Sequence, residues 1–256
     1  MEETLLYFSL KYQGNFNSIY KALETKEKVD ENLKNQLLRQ INSHYTTMVS
    51  KDYPQRFKSM DYPPFVVFYY GDLSLLDSNT IAVIGTNEPT LDGEEVTEKF
   101  VKEFVEMDLA IVSSLDLGIQ SLAQEITLQN NGKSIAYLPC GIEISQPKIN
   151  QILYEDIKEK ALLISEYPNT TPFSSDKAVQ RDRLIAGSSD CLLLTELRDD
   201  DCILPIVGNI MMQKKEVFCV PNHIHGLQGT NEFIKRGCTL FNDSTDIIKY
   251  QSHGKI

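Results

Sequence analysis

Seven short apolar runs, separated by amphipathic stretches, constrain the fold of this chain more than any other feature. They are Phe65 to Tyr70, Thr80 to Ile84, Leu109 to Ser113, Ser134 to Leu138, Leu162 to Ser165, Cys191 to Thr195 and Glu216 to Val220. Each has the length and β-branched content of a buried strand. The intervening segments repeat their apolar residues at helical spacing. One helix is predicted over Gly93 to Met107, with Val96, Phe100, Phe104 and Val105 as its stripe, and others over Leu117 to Asn130, Lys148 to Lys160 and Leu204 to Gln213. Gly132 stands where a helix C-terminal cap is expected. Strands alternating with helices in this way predict an α/β fold: an extended Rossmann-like, mostly parallel, doubly wound sheet.

The first 58 residues read differently. Leu33, Leu37, Leu38 and Ile41 recur at helical spacing, Asn15 to Ala22 suggests an earlier short helix, and no strand alternation is evident. Tyr53-Pro54 and Tyr62-Pro63-Pro64 punctuate the chain, because proline biases the residue before it away from helix. A small helical N-terminal domain over 1–58 and a Rossmann-like core over 59–256 are therefore expected.

The 256 residues suffice for one α/β domain with an appendage, and a hydrophobic content of 41% supplies its core. No run approaches the roughly 18 apolar residues of a membrane span. The start, Met1-Glu-Glu-Thr-Leu-Leu-Tyr-Phe, lacks the basic opening of a secretory signal. Five scattered cysteines form no CxxC pair, and a reduced, cytoplasmic protein is expected. The net charge of −11 is uneven: Lys and Arg number 9 against 7 acidic residues up to Lys58, and 16 against 29 beyond it. An acidic body repels polyphosphate at long range while leaving room for a local basic groove.

Candidate chemistry gathers at the carboxyl ends of the strands, where ligands of such sheets bind. Gln180-Arg-Asp-Arg-Leu-Ile-Ala-Gly187 reads as a polar connection between two strands and brings Arg181 and Arg183 together. Guanidinium forks suit phosphate, but the same arginines are equally suited to pairing with Asp182 and Asp190. Gly85-Thr86-Asn87 follows a strand and precedes a helix, a geometry that offers backbone N–H groups to an anion. It is neither GxGxxG nor a P-loop, so no nucleotide cofactor is expected. Ser113 to Gln120, Cys140-Gly141 and Ser165 to Pro168 open at the same edge. Glu166 and Glu196 are strand-end carboxylates without a recognisable catalytic partner, and Cys140 has no histidine beside it. His223 and His225 lack a third ligand, so no metal is expected. Asn231 is placed as the N-cap of a short helix that Gly237 ends.

Between about Tyr62 and Leu240 the order of motifs resembles the DprA/Smf family of bacterial DNA-processing proteins. The signals are Tyr70-Gly71-Asp-Leu-Ser-Leu-Leu76, Ile81-Ala-Val-Ile-Gly85, Ser165-Glu-Tyr-Pro168, Arg181-Asp-Arg-Leu-Ile-Ala-Gly187, Glu216-Val-Phe-Cys-Val-Pro221 and Gly229-Thr-Asn231. The resemblance implies a non-enzymatic protein that binds single-stranded DNA, dimerises and delivers DNA to a RecA-type recombinase in natural transformation. It implies no C-terminal winged helix in this chain. Carried over by position, the DNA-binding residues are Arg181, Arg183, Lys177, Gly85, Thr86, Asn87 and Gly118.

Departures from the family pattern predict weakened DNA binding. Asn87 stands where the family has arginine after Gly-Ser, Leu117 replaces another arginine, and Asp116 is acidic where the family has alanine. Asp182 replaces asparagine, Ala178-Val179 replaces Phe-Pro, Asn222 follows Val220-Pro221 in place of glycine, and Asp199-Asp-Asp201 replaces Ser-Gly-Ser. A protein-interaction scaffold without nucleic acid, or a nucleotide-ligand-binding protein of the same fold, are the alternatives.

Overall fold

A computed structural model describes residues 1–199 and 203–253, with the side chains of Lys249 and 251–253 left out. Asp200 and Asp201 of the expected acidic segment, and Cys202 after it, lie outside the described residues.

The chain opens with three helices, α1 (Glu2–Lys11), α2 (Phe16–Glu24) and α3 (Glu31–Leu38), the latter two capped by Asn15 and Asp30. Strand β1 (His44–Thr47) and helix α4 (Gln55–Lys58) follow. The core then runs β2 (Val66–Tyr70), β3 (Thr80–Ile84), α5 (Leu91–Glu106), β4 (Ala110–Ser114), α6 (Ile119–Gln129), β5 (Ser134–Tyr137), α7 (Gln151–Lys160) and β6 (Leu162–Ser165). It continues through α8 (Ser175–Ser188), β7 (Cys191–Leu194), α9 (Leu204–Met212), β8 (Glu216–Cys219), α10 (Gly229–Lys235), β9 (Thr239–Leu240) and α11 (Thr245–His253). No helix among the described residues is long and apolar enough to cross a membrane.

One sheet holds all nine strands, in the order β1-β2-β6-β5-β4-β3-β7-β8-β9. The seven from β6 to β9 are parallel, and β1 and β2 add an antiparallel edge. The expected doubly wound, Rossmann-like sheet is present. Successive strands step outward from β3 to β6, then α8 carries the chain back across the sheet to β7 on the other side of β3. One face packs under α4, α8 and α9, through Phe57, Ile185 and Ile206 among others. The opposite face packs under α5 and α6, through Phe100, Phe104 and Ile126. Helices α1, α2 and α7 cover the β2–β6 end of that face.

Four expectations are corrected. The first 58 residues are not all helical. β1 lies among them and pairs with β2, Thr47 opposite Val66, with Thr46 and Thr47 buried. Its four residues, His-Tyr-Thr-Thr, carry no apolar alternation, so the sequence shows no strand pattern there. The stretch 180–187 is not a connecting loop but the second half of α8. Its buried face includes Arg181 beside Leu184 and Ile185, so charged residues occupy positions where a helical apolar period would otherwise show. Asn231 lies inside α10 and its side chain brackets Asn222, accepting from the backbone N–H at 3.0 Å and donating to the carbonyl at 2.9 Å. Gly237, at φ +103°, follows that helix as expected. After α6 the left-handed residue is Asn131, at φ 55°, and Gly132 serves instead by leaving room for Val105.

Candidate functional site

The winding of the sheet reverses between β3 and β7, and the crevice at their carboxyl ends is the place where such folds take anionic ligands. Here the crevice is closed by the chain itself. The Thr86 N–H donates to the Glu196 carbonyl at 2.8 Å, and the Ile119 N–H donates to the Thr86 carbonyl at 3.1 Å. Gly118 caps α6 at φ +75°, and a Cβ there would lie 2.3 Å from the Thr86 carbonyl oxygen. Only glycine satisfies both the backbone angle and the approach. A Cβ on Gly85 would meet Ile119 at 2.5 Å. Asn87, exposed at the rim, accepts from the Gln120 amide at 3.3 Å.

Glu196 completes the closure. Its side chain is 1% exposed, with one carboxylate oxygen accepting from the Thr90 N–H at 2.8 Å and the other from the Thr90 hydroxyl at 2.6 Å. Thr90 is the N-cap of α5. A carboxylate therefore occupies the helix N-terminus that would otherwise attract a phosphate. Glu196 is an internal cap, which gives it a role that its strand-end position did not disclose.

The two arginines of α8 are separated by what they touch. Arg181, 6% exposed, donates to Asp116 at 2.8 Å from one terminal nitrogen, and its other terminal nitrogen lies 2.8 Å from Asp182. Arg183 donates from a single nitrogen to both oxygens of Glu166, at 2.6 and 2.7 Å. Burial pushes the Glu166 carboxyl above its ordinary range, opposed by the Arg183 charge. Burial likewise raises Asp182 against the pull of Arg181. Local pairing thus accounts for Arg181 through Asp182 and the unforeseen Asp116, whereas Asp190 pairs with Arg56 at 2.8 Å. Lys177 donates to the Pro172 carbonyl at 2.7 Å and lies 5.7 Å from the centre of the Tyr167 ring.

The structure consequently sorts the expected residues into two groups. Gly85, Thr86, Asn87 and Gly118 form the closed crevice, to which Arg181 is joined through Asp116. Lys177 and Arg183 line a separate cavity of about 660 Å³ between α8 and the turn from α1 to α2. No periodicity connects Asn15–Asn17 to residues 177–183, so the sequence offered no signal for that cavity. Among the other candidates, burial pushes the Cys140 thiol up to about 12, which leaves it inert at neutral pH. His223 lies 3.6 Å from Asp92 in an exposed loop.

The fold and this site define a Rossmann-like protein whose ligand crevice is filled by its own carboxylates and backbone. The chain belongs to the DNA recombination-mediator protein A family, whose sequence model matches residues 44–252. It is 31% identical to DNA processing protein DprA of Streptococcus pneumoniae over 199 residues, covering 77% of this chain and 70% of that protein. It is 31% identical over 188 residues to Protein Smf of Synechocystis, covering 72% of this chain and 47% of that longer protein. The crystal structure of the pneumococcal DprA superposes with a TM-score of 0.81 at 24% identity, covering 96% of this chain and 95% of that one. DprA of Helicobacter pylori, described for its single-stranded DNA binding mode, superposes at 0.74 and 24% identity, covering 83% of this chain and 98% of that one.

Proposed function

We propose that this chain is a non-enzymatic DNA-processing protein that binds single-stranded DNA weakly and passes it to a RecA-type recombinase. Family membership supports the class. The single observation that carries the weakened binding is Arg181, retained beside the crevice but held between Asp116 and Asp182. Two carboxylates around one guanidinium leave a net negative charge where a phosphate would have to sit. The acidic body, at −11 overall, adds long-range repulsion.

Protein contacts belong to the same reading. Helix α9 carries no charged residue, and Leu204, Met211 and Met212 on it are 63%, 57% and 77% exposed. Gly208, in its middle, has nothing within 4 Å of where a Cβ would stand. Glycine inside a helix costs about 1 kcal/mol relative to alanine. No contact among the described residues requires it here, and it would let another chain approach closely. This face supports homodimerisation, since a second acidic copy is repelled least at an uncharged surface.

The test is anisotropy of a labelled single-stranded oligonucleotide at low and moderate salt, with the wild type and Lys177→Ala. Salt-sensitive binding, weakened in the variant, is expected. No binding even at low salt would overturn the DNA reading and leave the scaffold alternative.

A further inference from the structure

The cavity of about 660 Å³ beside α8 is of ligand size, and its walls are held firmly. Gly14, at φ +72°, brings the α1–α2 turn so close to the end of β6 that a Cβ would lie 2.7 Å from the Glu166 carbonyl. Phe16, on that turn, stacks on Phe65 at 4.8 Å and meets Tyr62 edge-on at 6.0 Å. Tyr62 is 65% exposed at the mouth. A large aromatic ring left mostly in water beside a cavity, braced from behind by a second ring, is a stacking platform.

The polar lining complements it. The Asn17 and Gln180 amides are exposed on opposite walls, able to donate and accept. Lys177 supplies a cation. Arg183 spends one terminal nitrogen on Glu166, while its other, Nη1, is buried without a hydrogen-bond partner among the described residues. Glu166 and Asp176 balance Lys177 and Arg183, so the cavity is locally neutral in a strongly acidic chain.

An aromatic face, two exposed amides and a cation lining one cavity fit a nucleotide. We propose that the cavity receives one nucleotide of a single strand, its base on Tyr62 and Phe16, its base edge at Asn17 and Gln180, and its phosphate at Lys177. The inference rests on the single-stranded DNA reading and deepens it. Tyr62 and Phe16 supply the aromatic surface that Ala178 and Val179 do not, and lead the strand past α8.

The test titrates labelled oligonucleotide against the wild type, Tyr62→Ala and Tyr62→Phe, with deoxynucleoside monophosphates followed by calorimetry in parallel. Stacking on an aromatic contributes about 1–3 kcal/mol per base. Tyr62→Ala is therefore expected to weaken oligonucleotide binding by about fivefold or more, with Tyr62→Phe near wild type. Oligonucleotide binding indifferent to Tyr62→Ala overturns this inference and leaves the DNA reading intact. Tyr62-dependent binding of the monophosphate alone overturns the strand path and assigns the cavity to a free nucleotide. Binding of neither probe overturns both readings.

Discussion

Glu196 holds Thr90 by both its backbone N–H and its hydroxyl, at 2.8 and 2.6 Å, and so seals the N-terminus of α5 from the strand next door. Gly93 is part of the same contact, since a Cβ there would lie 2.1 Å from a Glu196 oxygen. The crevice has its anion built in. Glu196→Ala removes a buried acceptor from two donors and is expected to cost about 1–3 kcal/mol in urea unfolding. Inorganic phosphate should raise the melting temperature of that variant more than that of the wild type. Equal responses would show that the helix end is not an anion site even when vacated.

Arg181 is the second place where carboxylates stand in for a ligand. Asp116→Ala leaves Asp182 as its partner and removes one negative charge from the rim. Tighter oligonucleotide binding is expected, with a salt dependence steeper by about 0.7 for one added phosphate contact. An unchanged slope, read from anisotropy at four salt concentrations, would show that Arg181 is purely structural.

Arg183 and Glu166 form a buried pair, and removing one partner of such a pair costs about 3–5 kcal/mol. Arg183→Met alone should be severely destabilising, and Arg183→Met with Glu166→Gln much less so. A double-mutant cycle in urea measures the coupling, and additive losses would contradict it.

Lys215 donates to the Ala186 and Gly187 carbonyls at 2.7 and 3.2 Å, capping the end of α8. Burial, with Arg56 close by, pushes its ammonium down to about 8. A lysine whose pKa is lower in the folded state penalises folding fully below pH 8. The penalty fades as pH rises towards the unfolded value of 10.5. Wild-type stability should therefore rise between pH 8 and pH 10.5 relative to Lys215→Met, by at most about 3 kcal/mol. Parallel urea midpoints for the two proteins across that range would refute the assignment.

The uncharged face of α9 gives a prediction about assembly. Met212→Lys, at a position 77% exposed, should leave the fold unchanged and shift the protein towards monomer in sedimentation velocity. A wild type that is already monomeric at high concentration would remove the dimer from the proposal.

The strands of the sheet were legible because their residues are apolar on both faces, as buried parallel strands must be. Thr80–Ile84 and Leu162–Ser165 were located to the residue. What escaped was structure whose cause lies elsewhere in the chain. His44–Thr47 is a strand because β2 offers it an edge, and α8 is a helix although arginine holds part of its buried face. Of the candidate site, the positions at the strand ends were legible and their partners were not. Glu196 with Thr90, and Asp116 with Arg181, are bound across 106 and 65 residues of sequence, beyond the reach of any local pattern.

The hydrogen-bonding rim of β2 is covered only because β1 lies along it. A fragment cut just ahead of β2 would bare the amide and carbonyl groups of Val66–Tyr70, a strip that invites another chain's strand and the onset of fibrous association. In that light the early segment is a guard against misassembly, carried by a four-residue polar stretch that no search for hydrophobic pattern would single out.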